Sequence, residues 1–181
     1  MAVTAVRGAA LLLGVSVALL AAGCGGSGTG EPGPPAHRAP PPGRFLSVDV
    51  AARSVTITLI ASYDGANGGF NFDGYSRELL WTVPLGWTVH VVCENRGPLR
   101  HSCAVVGGAG TAEVAFPGAS TQQPAIGIEA GHEARFTFRA TRAGVFRFAC
   151  LVPGHEEARM WDPLKIVRGG KPSAVSLLAR L

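Results

Sequence analysis

Apolar residues in this chain recur at every second position over short runs, and no segment sustains a helical period. The run Ser54-Val55-Thr56-Ile57-Thr58-Leu59 alternates polar and apolar side chains, as a strand with one wet face does. Similar short segments cover Leu46–Val50, Ser54–Ser62, Leu79–Val83, Trp87–Glu94, Ser102–Val106, Ala134–Arg139, Val145–Cys150 and Leu164–Val167. Gly, Pro and Asn separate them, as in Pro84-Leu85-Gly86. Short strands with turn signals at close spacing predict an all-β, antiparallel β-sandwich or barrel. The Gly/Ala/Pro-rich stretch 107–131 fits either a short helix or a wrap around one end of the sandwich. The tail 169–181, ending Leu177-Leu178-Ala179-Arg180-Leu181, fits a short helix or a frayed end.

The first residues follow another pattern. A short n-region with one positive charge, Arg7, precedes the apolar stretch Ala9–Ala22, which is short for a membrane span and ends in small residues. The ending Leu20-Ala21-Ala22-Gly23-Cys24 resembles a bacterial lipobox, in which the cysteine becomes the lipidated first residue of the mature protein. Residues 1–23 therefore read as a lipoprotein signal and Cys24 as the lipidation site. Simple cleavage with release and an uncleaved anchor are the alternatives. The reading places the protein outside the cytoplasm, anchored to the outer face of the cytoplasmic membrane, where disulfides persist. Residues 24–44 are rich in Gly and Pro with few apolar side chains, so they read as a tether, and His37 within it as an idle, solvated histidine. The folded domain spans 45–168, enough for one sandwich with a real core.

Charge changes this picture little. Sixteen Lys and Arg oppose twelve Asp and Glu, for a formal +4. Loss of Arg7 with the signal leaves fifteen against twelve, or +3. A mild excess suits a soluble surface, and no Lys/Arg run points to nucleic acid.

The chemistry lies near the end of the chain. Cys150, His155 and Met160 stand at Cys-x4-His-x4-Met spacing between two strand-like stretches. A thiolate, imidazoles and a distant thioether suit copper that cycles between two oxidation states. Cys150 closes one strand, and Pro153-Gly154 supplies a turn that brings His155 back toward it. The fourth ligand comes from elsewhere, and His101, after the turn Asn95-Arg96-Gly97-Pro98-Leu99, is the best candidate. Zinc is the competing metal, but a thioether ligates it poorly.

These residues identify a resemblance. The chain resembles the cupredoxins, and within them the sulfocyanins, over about residues 54–168. The resemblance rests on Phe70-Asn71-Phe72-Asp73-Gly74-Tyr75, on Asn95-x-Gly97-Pro98-x-x-His101-Ser102, on Ala115-Phe116-Pro117-Gly118-Ala119-Ser120-Thr121, and on Phe148-Ala149-Cys150-x-Val152-Pro153-Gly154-His155 running to Met160-Trp161. It implies a Greek-key sandwich of about eight strands and one mononuclear type 1 (blue) copper. It also implies equatorial His101, Cys150 and His155, with Met160 axial. Ser102 stands where many cupredoxins carry Asn, which implies altered hydrogen bonding at the cysteine sulfur and a relatively high reduction potential. Trp161 reads as a core plug or as a shield for the axial side of the metal.

Cys93 and Cys103 remain. Alternation puts Val89, Val91 and Cys93 on one strand face. If Cys103 also points inward, the two thiols can meet across the core as a disulfide; two buried free thiols are the alternative. His90 reads as wet, His132 as exposed, and Glu156 and Glu157 as a solvated pair beside His155.

Together these features predict a non-enzymatic carrier of single electrons between a redox-protein donor and acceptor, docked transiently. A copper-holding or delivery lipoprotein is the alternative. An oxidase or nitrite reductase would need a second copper site, and the His-x-His and His-Cys-His pairings it uses are missing.

Overall fold

Among the described residues nine short strands build two facing sheets, and alternate residues of the longer ones turn inward. A computed structural model describes residues 39–108 and 111–178, all within the unit Ala36–Leu181. The predicted signal 1–23, its Cys24, His37 and most of the 24–44 tether lie outside the described residues.

The strands are β1 (Leu46–Asp49), β2 (Ser54–Ala61), β3 (Leu79–Pro84), β4 (Thr88–Asn95), β5 (Ala104–Val106), β6 (Glu133–Arg139), β7 (Gly144–Ala149), β8 (Trp161–Val167) and β9 (Ser173–Ser176). One sheet has the order β1-β2-β4-β6 and the other β5-β7-β8-β3-β9. The alternation works as the sequence suggests. Val55, Ile57 and Leu59 of β2 are buried, as are Val89, Val91 and Cys93 of β4, Phe136 and Phe138 of β6, Phe146 and Phe148 of β7, and Leu164 and Ile166 of β8.

Both sheets are mixed. β2 runs parallel to β4 (Val55↔Val89, Leu59↔Cys93), and β3 runs parallel to β8 (Trp81↔Leu164). The wholly antiparallel reading is corrected here for a topological reason. β3 leaves for the opposite sheet, so the chain re-enters the first sheet in the direction it left, and such a crossover makes a parallel pair.

Three predicted boundaries also shift. The strand predicted at Ser102–Val106 begins only at Ala104. Backbone groups before it serve other partners: the Ser102 amide donates to Cys150 Sγ, and the Cys103 carbonyl accepts from the Thr121 amide. The tail forms neither helix nor frayed end over Ser173–Ser176; it pairs antiparallel with β3 (Leu80↔Val175) and covers an otherwise open edge. At the other end, the turn Pro42–Phe45 seats Phe45 in the core, and Tyr75 Oη donates to the Pro40 carbonyl at 2.7 Å, so residues of the predicted tether pack on the domain.

The excursion 107–131 contains no helix among its described residues and follows the edge of β5. Ala115 and Val105 exchange backbone contacts through the Ala115 amide (2.8 Å), and the Val105 amide donates to the Ala119 carbonyl (2.8 Å). Phe116 enters the core, stacked 5.4 Å from Phe138 and tilted 4.8 Å from Phe146. An aromatic anchor of this size explains why a Gly-rich segment holds one path.

Candidate metal centre

β7 ends at Ala149, and the next residue, Cys150, is fully buried at the end of the sandwich. The chain then turns at Val152–His155, with the His155 amide donating to the Val152 carbonyl at 3.1 Å. Gly154 has φ 85, a left-handed conformation that glycine adopts freely. The loop closes on itself: the Met160 amide donates to the His155 carbonyl (3.0 Å), and the Cys150 amide donates to the Met160 carbonyl (3.1 Å). Met160 is fully buried in the same core cluster as Phe148 and Cys150.

His101 lies in the connection that leads from β4 of one sheet to β5 of the other. Its amide and carbonyl bond the carbonyl and amide of Ile128, at 3.3 and 2.7 Å. Asn95 shapes the preceding turn, accepting from the Gly97 amide (3.0 Å) and donating to the Leu99 and Ile128 carbonyls (2.7 and 3.1 Å). Gly97 is required by space: a Cβ there would stand 2.5 Å from the Ser62 Cβ and 3.2 Å from His101 Nε2.

The result is convergence. One donor atom from each of His101, Cys150 and His155 lies within 4.8 Å of the others. Cys150 Sγ is 3.3 Å from His155 Nδ1 and 3.9 Å from His101 Nδ1. Sulfur and nitrogen ligands about 2.3 and 2.0 Å from one ion at a trigonal angle stand about 3.7 Å apart, so the two separations bracket what a shared first-row metal needs. A soft sulfur, two imidazoles and a nearby thioether match copper rather than zinc. His101 and His155 are 1% and 7% exposed, so only the edge of His155 approaches solvent.

The electrostatics fit a metal pocket. Burial, then the neighbouring His155, push the His101 imidazole down to about 4, and burial lowers His155 as well. Both rings are thereby kept neutral with a lone pair to give. Burial raises the Cys150 thiol, opposed by hydrogen bonds from Ser102 and the Val152 amide. Without metal the sulfur holds its proton, which a cation must displace.

A sulfocyanin (SoxE) domain model matches residues 42–170. The chain belongs to the sulfocyanin family. It is 36% identical over 86 residues to the copper-resistant cuproprotein CopI of Rubrivivax gelatinosus, a match covering 44% of this chain and 52% of CopI. The chain thus spans about half the length of that relative. Among solved structures, it is similar to a dithionite-reduced auracyanin from Roseiflexus castenholzii (TM-score 0.47, 20% identity, 62% of this chain and 96% of that one). It is also similar to rusticyanin from Thiobacillus ferrooxidans (TM-score 0.46, 17% identity, 68% and 88%). As a sulfocyanin the protein has the cupredoxin fold and binds one type 1 copper, in the pocket formed by His101, Cys150, His155 and Met160.

The remaining predicted residues divide. Ser102 lies against the sulfur: its amide donates to Cys150 Sγ at 3.2 Å, its hydroxyl stands 3.7 Å from Sγ, and that oxygen accepts from the Leu151 amide at 2.9 Å. Cys93 and Cys103 are bonded, with Cα atoms 6.0 Å apart, linking β4 of one sheet to the residue before β5 of the other. Trp161 is neither core plug nor axial shield. It starts β8 with its side chain opposite to buried Asp162 and Leu164, and it packs on the outer-face cluster Ala104, Val106 and Ala149 between the guanidinium groups of Arg147 (5.1 Å) and Arg77 (5.9 Å). Alternation decides this, since β8 begins at residue 161 and places odd positions outside. Glu156 is not solvated as predicted; it forms a 2.6 Å ion pair with buried Arg147. Exposed His90 bonds Thr137, and exposed His132 bonds the Ala130 carbonyl.

Sequence reading missed Phe70 as a site residue. Its ring meets His155 edge-on at 5.0 Å and His101 at 6.5 Å. Its place in the Phe70–Tyr75 block was the available signal.

Proposed function

We propose that the protein carries single electrons between redox proteins outside the cytoplasm, held at the outer face of the cytoplasmic membrane by a lipid on Cys24. Copper bound in the pocket supplies a one-electron couple. The enclosure of its donors carries the reading: Cys150 and Met160 are fully buried, His101 is 1% exposed, and His155 reaches the surface only by an edge. Such a pocket excludes water and hinders ligand exchange. The ring of His155 gives the shortest covalent route outward, through a surface bearing Leu99 (51% exposed), Val152 and Pro153. An apolar rim with little net charge suits brief docking rather than a lasting complex. Ser102 directs a backbone amide and a hydroxyl at the sulfur, which draws charge from the thiolate and favours the reduced, less positive metal. The protein itself transforms no substrate in this reading.

The likeness to CopI, named as a copper-resistant cuproprotein, favours a second reading in which the domain holds copper without a redox partner. Two rates separate them. Fast electron self-exchange with slow copper loss to a chelator supports the carrier. Rapid copper loss with slow self-exchange supports the store. The anchor has its own test: wild-type protein partitions with membranes and carries diacylglycerol, whereas Cys24→Ser is not lipidated.

A further inference from the structure

The two ligands on the long loop, His155 and Met160, are separated by four residues that no strand supports. Support comes instead from the segment between β2 and β3. We propose that Asn67 and Ser76 are positioning residues for copper: their side chains clamp the His155–Met160 span, so that it is already shaped before the metal arrives. This holds whether the protein carries electrons or stores copper.

The contacts bracket Met160. Asn67 Nδ2 donates to the Ala158 and Phe70 carbonyls, at 2.7 Å each, and stands 3.2 Å from Ser76 Oγ. Ser76 Oγ donates onward to the Arg159 carbonyl at 2.8 Å. The Arg77 amide donates to the Trp161 carbonyl at 2.7 Å. The carbonyls of 158, 159 and 161 are thus held from one neighbouring segment, while that of Met160 accepts from Cys150. None of these bonds lies within a sheet ladder.

The clamp rests on a firm base. Asn71 is fully buried; its amide group donates to the Asp64 and Ala66 carbonyls (3.0 and 2.8 Å), and its oxygen accepts from the Tyr63 and Gly74 amides (3.2 and 3.0 Å). Asn71 therefore shapes the turn that presents Asn67. Backbone strain collects at the same junction. Of seven non-glycine residues with positive φ among those described, three meet here: Asn67 (50°), Arg77 (66°) and Arg159 (68°). Conformations of this kind persist where surrounding bonds over-determine them. Phe70, three residues beyond Asn67, extends the segment to the edges of both ligand imidazoles.

Asn67→Gly is the informative variant, because glycine keeps the left-handed backbone and removes only the carboxamide. It is combined with Ser76→Ala in the full chain. Without metal, amide hydrogen exchange at Ala158, Arg159 and Met160 is expected to accelerate about tenfold, the scale set by losing one to two net hydrogen bonds. Strand amides such as Ile57 and Val91 keep their rates. With copper bound, release to a chelator accelerates by a similar factor and the visible sulfur-to-copper bands change in relative intensity. Val55→Ala, a core truncation in β2, is the control for general destabilisation. Wild-type exchange at 158–160 in the double variant overturns the proposal. So does the same acceleration and band change in Val55→Ala at equal global stability.

Discussion

The segment Phe70–Tyr75 touches two buried polar regions of opposite design. At one, Phe70 edges onto His101 and His155, whose nitrogens converge with Cys150 Sγ within 4.8 Å. At the other, Asp73 and Asp162 lie fully buried. Each satisfies one carboxylate oxygen with backbone amides: Ile60 on Asp73 at 2.8 Å, and Glu78 and Leu79 on Asp162 at 2.9 and 3.0 Å. The second oxygen of each has no partner. Burial holds both carboxyls well above their ordinary range, and the charge of Asp162 adds to the shift at Asp73. Burial alone therefore does not make a metal site. Soft and imidazole lone pairs aimed at one point suit a metal cation, whereas carboxyls tied to backbone amides are satisfied by a proton.

The largest test of that contrast is loss of the sulfur. Cys150→Ser should abolish the intense visible band of the copper-loaded protein, while Asp73→Asn leaves band and stoichiometry intact. Absorption spectra decide it, and a colourless Asp73→Asn would merge the two regions into one site.

The metal end is also tied to the fold by charge. Arg147, 6% exposed, pairs with Glu156 of the ligand loop, donates to the Gly108 carbonyl at 2.8 Å and stacks on Trp161. Arg147→Ala strands a partly buried carboxylate, and a cost of about 3–4 kcal/mol is expected. Denaturant unfolding of metal-free protein measures it; a loss under about 1 kcal/mol would mean that water solvates Glu156 just as well.

Next comes the cross-link. The Cys93–Cys103 bond closes a short loop of sequence separation 10, worth about 3 kcal/mol in the chain-entropy account. Replacing both cysteines with alanine should lower stability by that amount and leave the copper band in place. Among the described residues, denatured unreduced protein should expose one thiol, that of Cys150. Three would remove the disulfide.

The smallest effect separates the regions by sign. The folded pKa of His101 lies near 4, below its ordinary 6.5, so between those values the unfolded chain binds a proton that the fold refuses. Its contribution to stability is lost as pH falls from about 6.5 to about 4. Asp73 and Asp162 do the reverse: above about 3.8 the unfolded chain releases protons that the fold retains, so stability is lost as pH rises until the buried acids ionise. Each proton contributes a slope of up to about 1.4 kcal/mol per pH unit. Asp73→Asn should make metal-free stability rise more steeply from pH 4.5 to 6.5. Unfolding midpoints at the two pH values show it, and an unchanged or shallower slope would place the Asp73 carboxyl outside the titrating set.

How far the site could be read in advance differs residue by residue. Cys150, His155 and Met160 lie in one short loop, where spacing limits how far apart they can fold, and His101 follows a turn whose Asn95 and Gly97 have few other uses. Ser102 was legible because it follows a ligand directly. Trp161 was not, since its side depends on where β8 begins, and a shift of one residue reverses a strand side chain. Glu156 was not, because its partner Arg147 comes from β7, and no local pattern distinguishes an outward arginine in water from one covered by Trp161. Asn67 and Ser76 reach Ala158 and Arg159 across more than eighty residues of chain, and short polar side chains in a Gly-rich loop otherwise look like ordinary turn chemistry.

The chain's own order determined the kind of protein this is: alternation marked strands, and three ligand types at close spacing marked a copper site, because both are set by residues near one another in sequence. Which strands run parallel, where the tail pairs, how buried charges find partners and what steadies the ligand loop were decided only on folding. Those outcomes depend on segments distant in sequence competing for the same edge or the same buried space, and no local pattern records who wins.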